Sequence, residues 1–143
     1  MGALTRRNKS VALLAAAARF HGHLGPWLVL GLHAGAYARR KLAASPFELR
    51  ARVFCPAGTP YTCFVDGIQF SSGCTMGKGN ISHHRAAGCR VEFTRRNRPG
   101  RVRLVLRPEV WDELHSVRCS GMAGAARLGR VFARRRVPGL FAG

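Results

Sequence analysis

The chain has 143 residues, 47% of them hydrophobic, which is enough for one domain with a buried core that needs neither disulfide staples nor a structural metal in order to fold. Its formal charge is +18, and all but three of its 24 cationic residues are arginine, against six acidic ones; a field of that sign attracts polyanions whether or not binding them is its task. The five cysteines, at 55, 63, 74, 89 and 119, form no CxxC pair, which argues against a zinc finger and a secreted disulfide framework and for a reducing cytoplasm.

The chain opens with "RRNKSVALLAAAARF", basic residues before an apolar run from Val11 to Ala18. An export signal has this outline, but the run is too short to span a membrane. A first amphipathic or buried helix capped by Asn8 or Ser10 explains the same residues. "FHGHLGPW" then breaks the pattern, and Pro26 suits the first turn of a second helix. Gly31, Ala34, Gly35 and Ala38 let another backbone approach this helix closely, so it is predicted to be the central and most buried one.

In "FELRARVF", Phe47, Leu49, Ala51 and Val53 alternate with Glu48, Arg50 and Arg52, as in a half-buried strand. "CPAGTP" is a turn, and "CFVDGIQFSSG" fits either a strand end or a short helix. The following "SSGCTMGKGN" looks like a phosphate loop, but Gly73 and Gly77 enclose one residue too few, and Gly79 stands where a magnesium-binding hydroxyl would follow Lys78. "CRVEFTRR" and "GRVRLVLR" read as a hairpin joined by "NRPG", "PEVWDELHSV" as a helix, and residues 120–143 as a basic C-terminal helix or tail. The order predicts a single α+β domain over 1–143, with N-terminal helices packed on a mainly antiparallel sheet and C-terminal helices after it.

Several of these residues carry chemistry. His21 and His23 stand two apart across a glycine, a spacing that in a turn aims both imidazoles at one ion, or else leaves two satisfied polar residues. Asp66 either caps a helix before "GIQF" or orients a histidine. His83 and His84 would face opposite sides of a strand, so at most one joins a site, and solvated side chains are the simpler reading. Cys55, Cys89 and Cys119 are assigned to the core. The arginines gather at 95–107 and 127–136, where they can neutralise phosphates, although no base-stacking aromatics interleave them.

Two segments, "FHGHLGPWLVLGLHAG" and "CFVDGIQFSSGCTMGKGNI", together resemble the signature of the FmdE family, named for a subunit of formylmethanofuran dehydrogenase, with its FHGHxCPG and CxxDAIQxxTGCTxGKGN patterns. The resemblance extends from about residue 8 to 115. It implies an α+β core with a metal-binding cleft, in some members followed by a treble-clef zinc finger for which no cysteine pair is present after Cys119. It also implies a link to one-carbon or molybdenum/tungsten enzyme metabolism. Gly25 replaces the family's cysteine, and Gly67 replaces an alanine.

The metal ligands so implied are His21, His23 and Cys63, with zinc the best match to such donors. Cys74, Asp66 and Lys78 are the implied catalytic candidates, with Cys74 beside the metal and Lys78 holding an anionic group of a small ligand. The loop glycines either bring backbone close to the metal or allow turns with positive φ. The expected partners are a second copy of the chain, oxidoreductase subunits, and nucleic acid through unspecific charge, with no membrane. The other readings are a basic nucleic-acid-binding module and an enzyme using Cys63 or Cys74 as nucleophile.

Overall fold

The computed structural model describes residues 6–116 and 121–143. Cys119, assigned above to the core, lies outside the described residues. The elements run α1 (Arg6–His21), α2 (Pro26–Leu42), β1 (Leu49–Cys55), α3 (Cys63–Ser72), β2 (Ile81–Arg85), β3 (Arg90–Arg95), β4 (Arg101–Leu106), α4 (Pro108–Ser116), α5 (Gly121–Ala133), α6 (Val137–Leu140) and β5 (Phe141–Ala142). The α+β expectation holds. No helix among the described residues is long and apolar enough to cross a membrane.

The strands form one sheet in the order β2-β1-β3-β4-β5, antiparallel except where β2 lies parallel to β1. Alternation decides its faces. Leu49, Ala51, Val53 and Cys55 of β1 are fully buried toward the helices, as are Val91 and Phe93 of β3. The opposite face carries arginines, and the register that sets Arg52 and Arg103 on either side of Glu92 places that carboxylate 3.6 and 3.7 Å from them and 3.3 Å from Arg101. The edge strand β2 has no apolar alternation to announce it, because one neighbour and a cleft on its inner side leave little for it to bury.

The undecided "CFVDGIQFSS" is helical, and α3 is the crossover that makes β1 and β2 parallel. It lies against α2, which is buried along nearly all its length as its small residues predicted. Here the two backbones touch. A Cβ added at Gly31 would stand 2.3 Å from the Phe64 carbonyl oxygen, and one at Gly67 would stand 2.2 Å from that of Leu28; one turn further, a Cβ on Gly35 would meet Ser71 Oγ at 2.0 Å. Gly67 is therefore not a minor exchange for alanine in this chain but half of the tightest helix contact. The single Ser71 hydroxyl proton is shared between the Gly67 carbonyl of its own helix and the Gly31 carbonyl across the crossing. At the far side, Trp27 packs edge-on to Tyr61 and Trp111, and Tyr61 stacks on Trp111, which docks α4.

Because the atoms that a methyl would strike at positions 31 and 67 are backbone, they cannot swing aside. Gly31→Ala and Gly67→Ala are each expected to destabilise the fold by about 2 kcal/mol, the usual scale of overpacking. Gly77→Ala, with nothing within 4 Å of the added carbon, serves as the near-neutral control. Chemical denaturation of the three variants checks the ranking.

Candidate metal centre

Helix α1 ends at His21, and Gly22, at a φ of +107°, turns the chain so that His23 folds back beside it. The rings lie 4.6 Å apart and the two Nε2 atoms 3.1 Å apart. Across from them, Cys63 opens α3, and its Sγ completes a group whose three donor atoms all lie within 4.8 Å of one another. This is the His21, His23 and Cys63 set. In a tetrahedral zinc site, bonds of about 2.0 to 2.3 Å put neighbouring donors roughly 3.3 to 3.6 Å apart, so the histidine pair stands close to the required spacing.

Asp66 lies within the first turns of α3 rather than at its N-cap, which is Thr62. From there its Oδ2 sits 2.6 Å from His21 Nδ1. A carboxylate only accepts, so Nδ1 carries a proton, and Nε2 is the ring atom turned toward His23 and Cys63. Gln69, one turn further along α3, donates from Nε2 to Asp66 Oδ1, while its Oε1 accepts from the Met76 backbone N–H. A continuous chain of hydrogen bonds thus ties the glycine loop to the histidine pair.

The group opens on a cleft of about 360 Å³ lined by His21, Cys63, Asp66 and Gln69 on the helical side and by Ser82 and His83 on β2. Sequence reasoning alone misses His83 as a lining residue. The parallel register sets it beside Val53, facing the cleft, with Nε2 3.3 Å from Cys55 Sγ and 3.1 Å from the Cys55 carbonyl oxygen. His84 points the other way and stacks on Phe54. The available signal is parity alone: of two adjacent strand residues, one has to face inward.

Cys74 and Lys78 are not brought to this group. Cys74 follows the C-terminal end of α3, about 15 Å of helix away from Cys63, and is fully buried beneath the loop. The Lys78 ammonium donates to the Gly73 carbonyl and to Thr75 Oγ1 at 3.0 Å, where it meets the negative end of the α3 dipole. Positive φ angles of 77° at Gly73 and 69° at Gly79 are what those glycines supply, and Gly73 also presses against Pro46. Asn80 holds the loop from inside, accepting from Thr75 N–H and donating to the Pro46 and Leu49 carbonyls. The loop shapes the cleft wall and presents no charge to it.

Gly25 lies in extended backbone, φ −157°, with His23 Cε1 3.4 Å from where its Cβ would be. A side chain there would stand against the imidazole without backbone strain. Gly129 of α5 packs on this segment from outside, 3.1 Å from the Gly25 carbonyl carbon to the position of an added Cβ.

Burial raises the pKa of all four described cysteines, to about 11 for Cys55 and well above the usual thiol value for Cys89. At Cys63 the nearby Asp66 adds to the effect, whereas at Cys74 the hydrogen bond with Ser72 and the charge of Lys78 only partly oppose it. A nucleophilic thiol needs the opposite shift.

The sequence profile of FmdE, described as "Molybdenum formylmethanofuran dehydrogenase operon", matches residues 20–136. A protein of Archaeoglobus fulgidus described as a probable S-adenosyl-L-methionine-binding protein is 32% identical over 82 residues, which are 52% of this chain and 21% of that protein. The matched part is thus about a fifth of that relative's length.

With their thiols protonated, Cys55, Cys63, Cys74 and Cys89 are each expected to react with iodoacetamide about tenfold or more slower than a free thiol near neutral pH. Site-resolved mass spectrometry reads the rates. A residue reacting as fast as the free thiol would restore the nucleophilic reading.

Proposed function

The chain belongs to the FmdE family, and from that premise we propose that it is a metal-binding protein whose His21, His23 and Cys63 hold one divalent ion, zinc by the chemistry of the donors. The observation that carries this reading is the convergence of two imidazole nitrogens and a thiol, with one imidazole locked by a carboxylate into the tautomer that ligation requires. Three N/S donors would leave a fourth position for water or a small ligand, and His21 and Cys63 both line the adjoining cleft from which one could enter. An ion held by His21, His23 and Cys63 would supply Lewis acidity to a small ligand in the cleft. The chain's own contribution is orientation: Asp66 fixes the His21 ring, Gln69 fixes Asp66, and the buried Cys63 gives up its proton on ligation.

The family's description, which refers to the operon of a molybdenum-dependent one-carbon dehydrogenase, supports an accessory role beside an oxidoreductase of that kind. Gly25 distinguishes this chain from its family pattern. Without a thiol against His23 the centre is more open, and it holds its ion less tightly than a site with that further donor would.

After equilibration with zinc and removal of excess, about one ion per chain is expected by elemental analysis. His21→Ala/His23→Ala should lose it while still melting cooperatively, since neither histidine belongs to the buried core. Gly25→Cys should retain zinc against a chelator at about tenfold higher competitor concentration. Full metal content in the double histidine variant would overturn the assignment of the ligands.

A further inference from the structure

Helix α1 runs sixteen residues and buries only Ala17. Val11 and Leu13 are 61% and 43% exposed, although they belong to an almost uninterrupted apolar run. Together with α5 and α6, α1 walls a groove of about 480 Å³ on the back of α2, away from the metal centre. Its floor is one stripe of α2, Val29, Leu32, His33 and Ala36, the spacing of a single helical face, which ends at Arg40 on the rim. At 1.5 Å per residue the stripe from Val29 to Ala36 is about 10 Å long, two helical turns. Within that floor His33 Nε2–H donates to the Phe132 carbonyl at 2.9 Å, which satisfies this nitrogen within the chain.

The rim is cationic. Arg7, Arg40, Arg130 and Arg134 line the groove, none of the six acidic residues does, and none of these four arginines forms an ion pair among the described residues. That decides what kind of occupant fits. A second copy of the chain would bring like charges together on a molecule already at +18. A small amphiphile within the groove would leave Val11 and Leu13 still exposed on the wall above it. A flat bilayer does not reach a floor recessed between two helices. An amphipathic helix satisfies all three conditions, since its stripe fills the floor, its shoulders cover the walls, and acidic flanks meet the arginines.

We propose that the groove between α1 and α5 is the docking site for an amphipathic helix of another protein chain, with an apolar stripe two turns long flanked by carboxylates. The expected homodimer is the competing occupant of this face, and the sedimentation outcome below decides between the two.

The test uses a fluorescein-labelled synthetic helix of roughly 18 residues, with leucine at i, i+3, i+4 and i+7 and glutamate on both flanks, beside its lysine-for-glutamate counterpart. Fluorescence anisotropy against the intact protein should show saturable binding of the acidic peptide and none of the basic one. Arg130→Glu/Arg134→Glu should weaken binding by about tenfold or more at an unchanged melting temperature. The His21→Ala/His23→Ala variant should bind the peptide normally, so this result stands or falls apart from the metal reading. Four outcomes would overturn the proposal: no saturation by about 100 μM, equal binding of both peptides, displacement of the peptide by stoichiometric decanoate, or capture by phosphatidylglycerol vesicles in its place. A dimer in sedimentation that dissociates on Leu13→Glu would overturn it in favour of self-association.

Discussion

The backbone contact between α2 and α3 at Gly31 and Gly67 is the constraint on which the rest of the molecule depends. Dispersion gained at such short separation comes from many atom pairs at once, and it exists only because neither residue has a Cβ. The crossing stands directly beneath the candidate centre. Gly67 follows Asp66 in sequence, Cys63 is one turn before it on the same side of α3, and α2 begins at Pro26, just after the histidine turn. Any widening at the crossing would carry Asp66 and Cys63 away from His21 and His23. A sub-ångström packing condition in the core is thus also a geometric condition on three donor atoms.

From that contact outward, the polar groups are arranged in series rather than as separate pairs. Met76 N–H holds Gln69, Gln69 holds Asp66, and Asp66 holds His21. Met76 is exposed and the Asp66 side chain is 38% exposed, so the series acts by fixing the direction of each group. The glycine loop, which in sequence looks like a ligand cradle, acts at the far end of this series. Its lysine neutralises the C-terminal end of α3 and its asparagine plugs the space beneath, so the loop is fixed and Gln69 has one place to point.

Where packing followed a period, the sequence was legible. The alternation of β1, β3 and β4 and the small-residue face of α2 foretold which sides are buried, and the HGH spacing allowed two imidazoles to lie side by side, as they do. Three things were not legible. Strand β2 lacks a pattern because it is an edge. Lys78 and Cys74 belong by motif to the same signature as Asp66, but a helix of ten residues separates the two ends of that signature in space. The weight of Gly67 could not be seen until its opposite number, Gly31, was known to face it. In each case the missing information was a long-range neighbour, which local periodicity does not encode.

Two features of the surface follow from composition alone and gain meaning from the fold. Arginine on the outer face of the sheet is partly matched by Glu92, whereas the arginines around the α1–α5 groove form no ion pair among the described residues. The charge of the chain is therefore directional. The centre itself is best judged by X-ray absorption at the zinc edge on the zinc-loaded protein. The account predicts a first shell with imidazole nitrogen at about 2.0 to 2.1 Å and a single sulfur at about 2.3 Å. A shell without sulfur, or without the outer-ring scattering of imidazole, would contradict it.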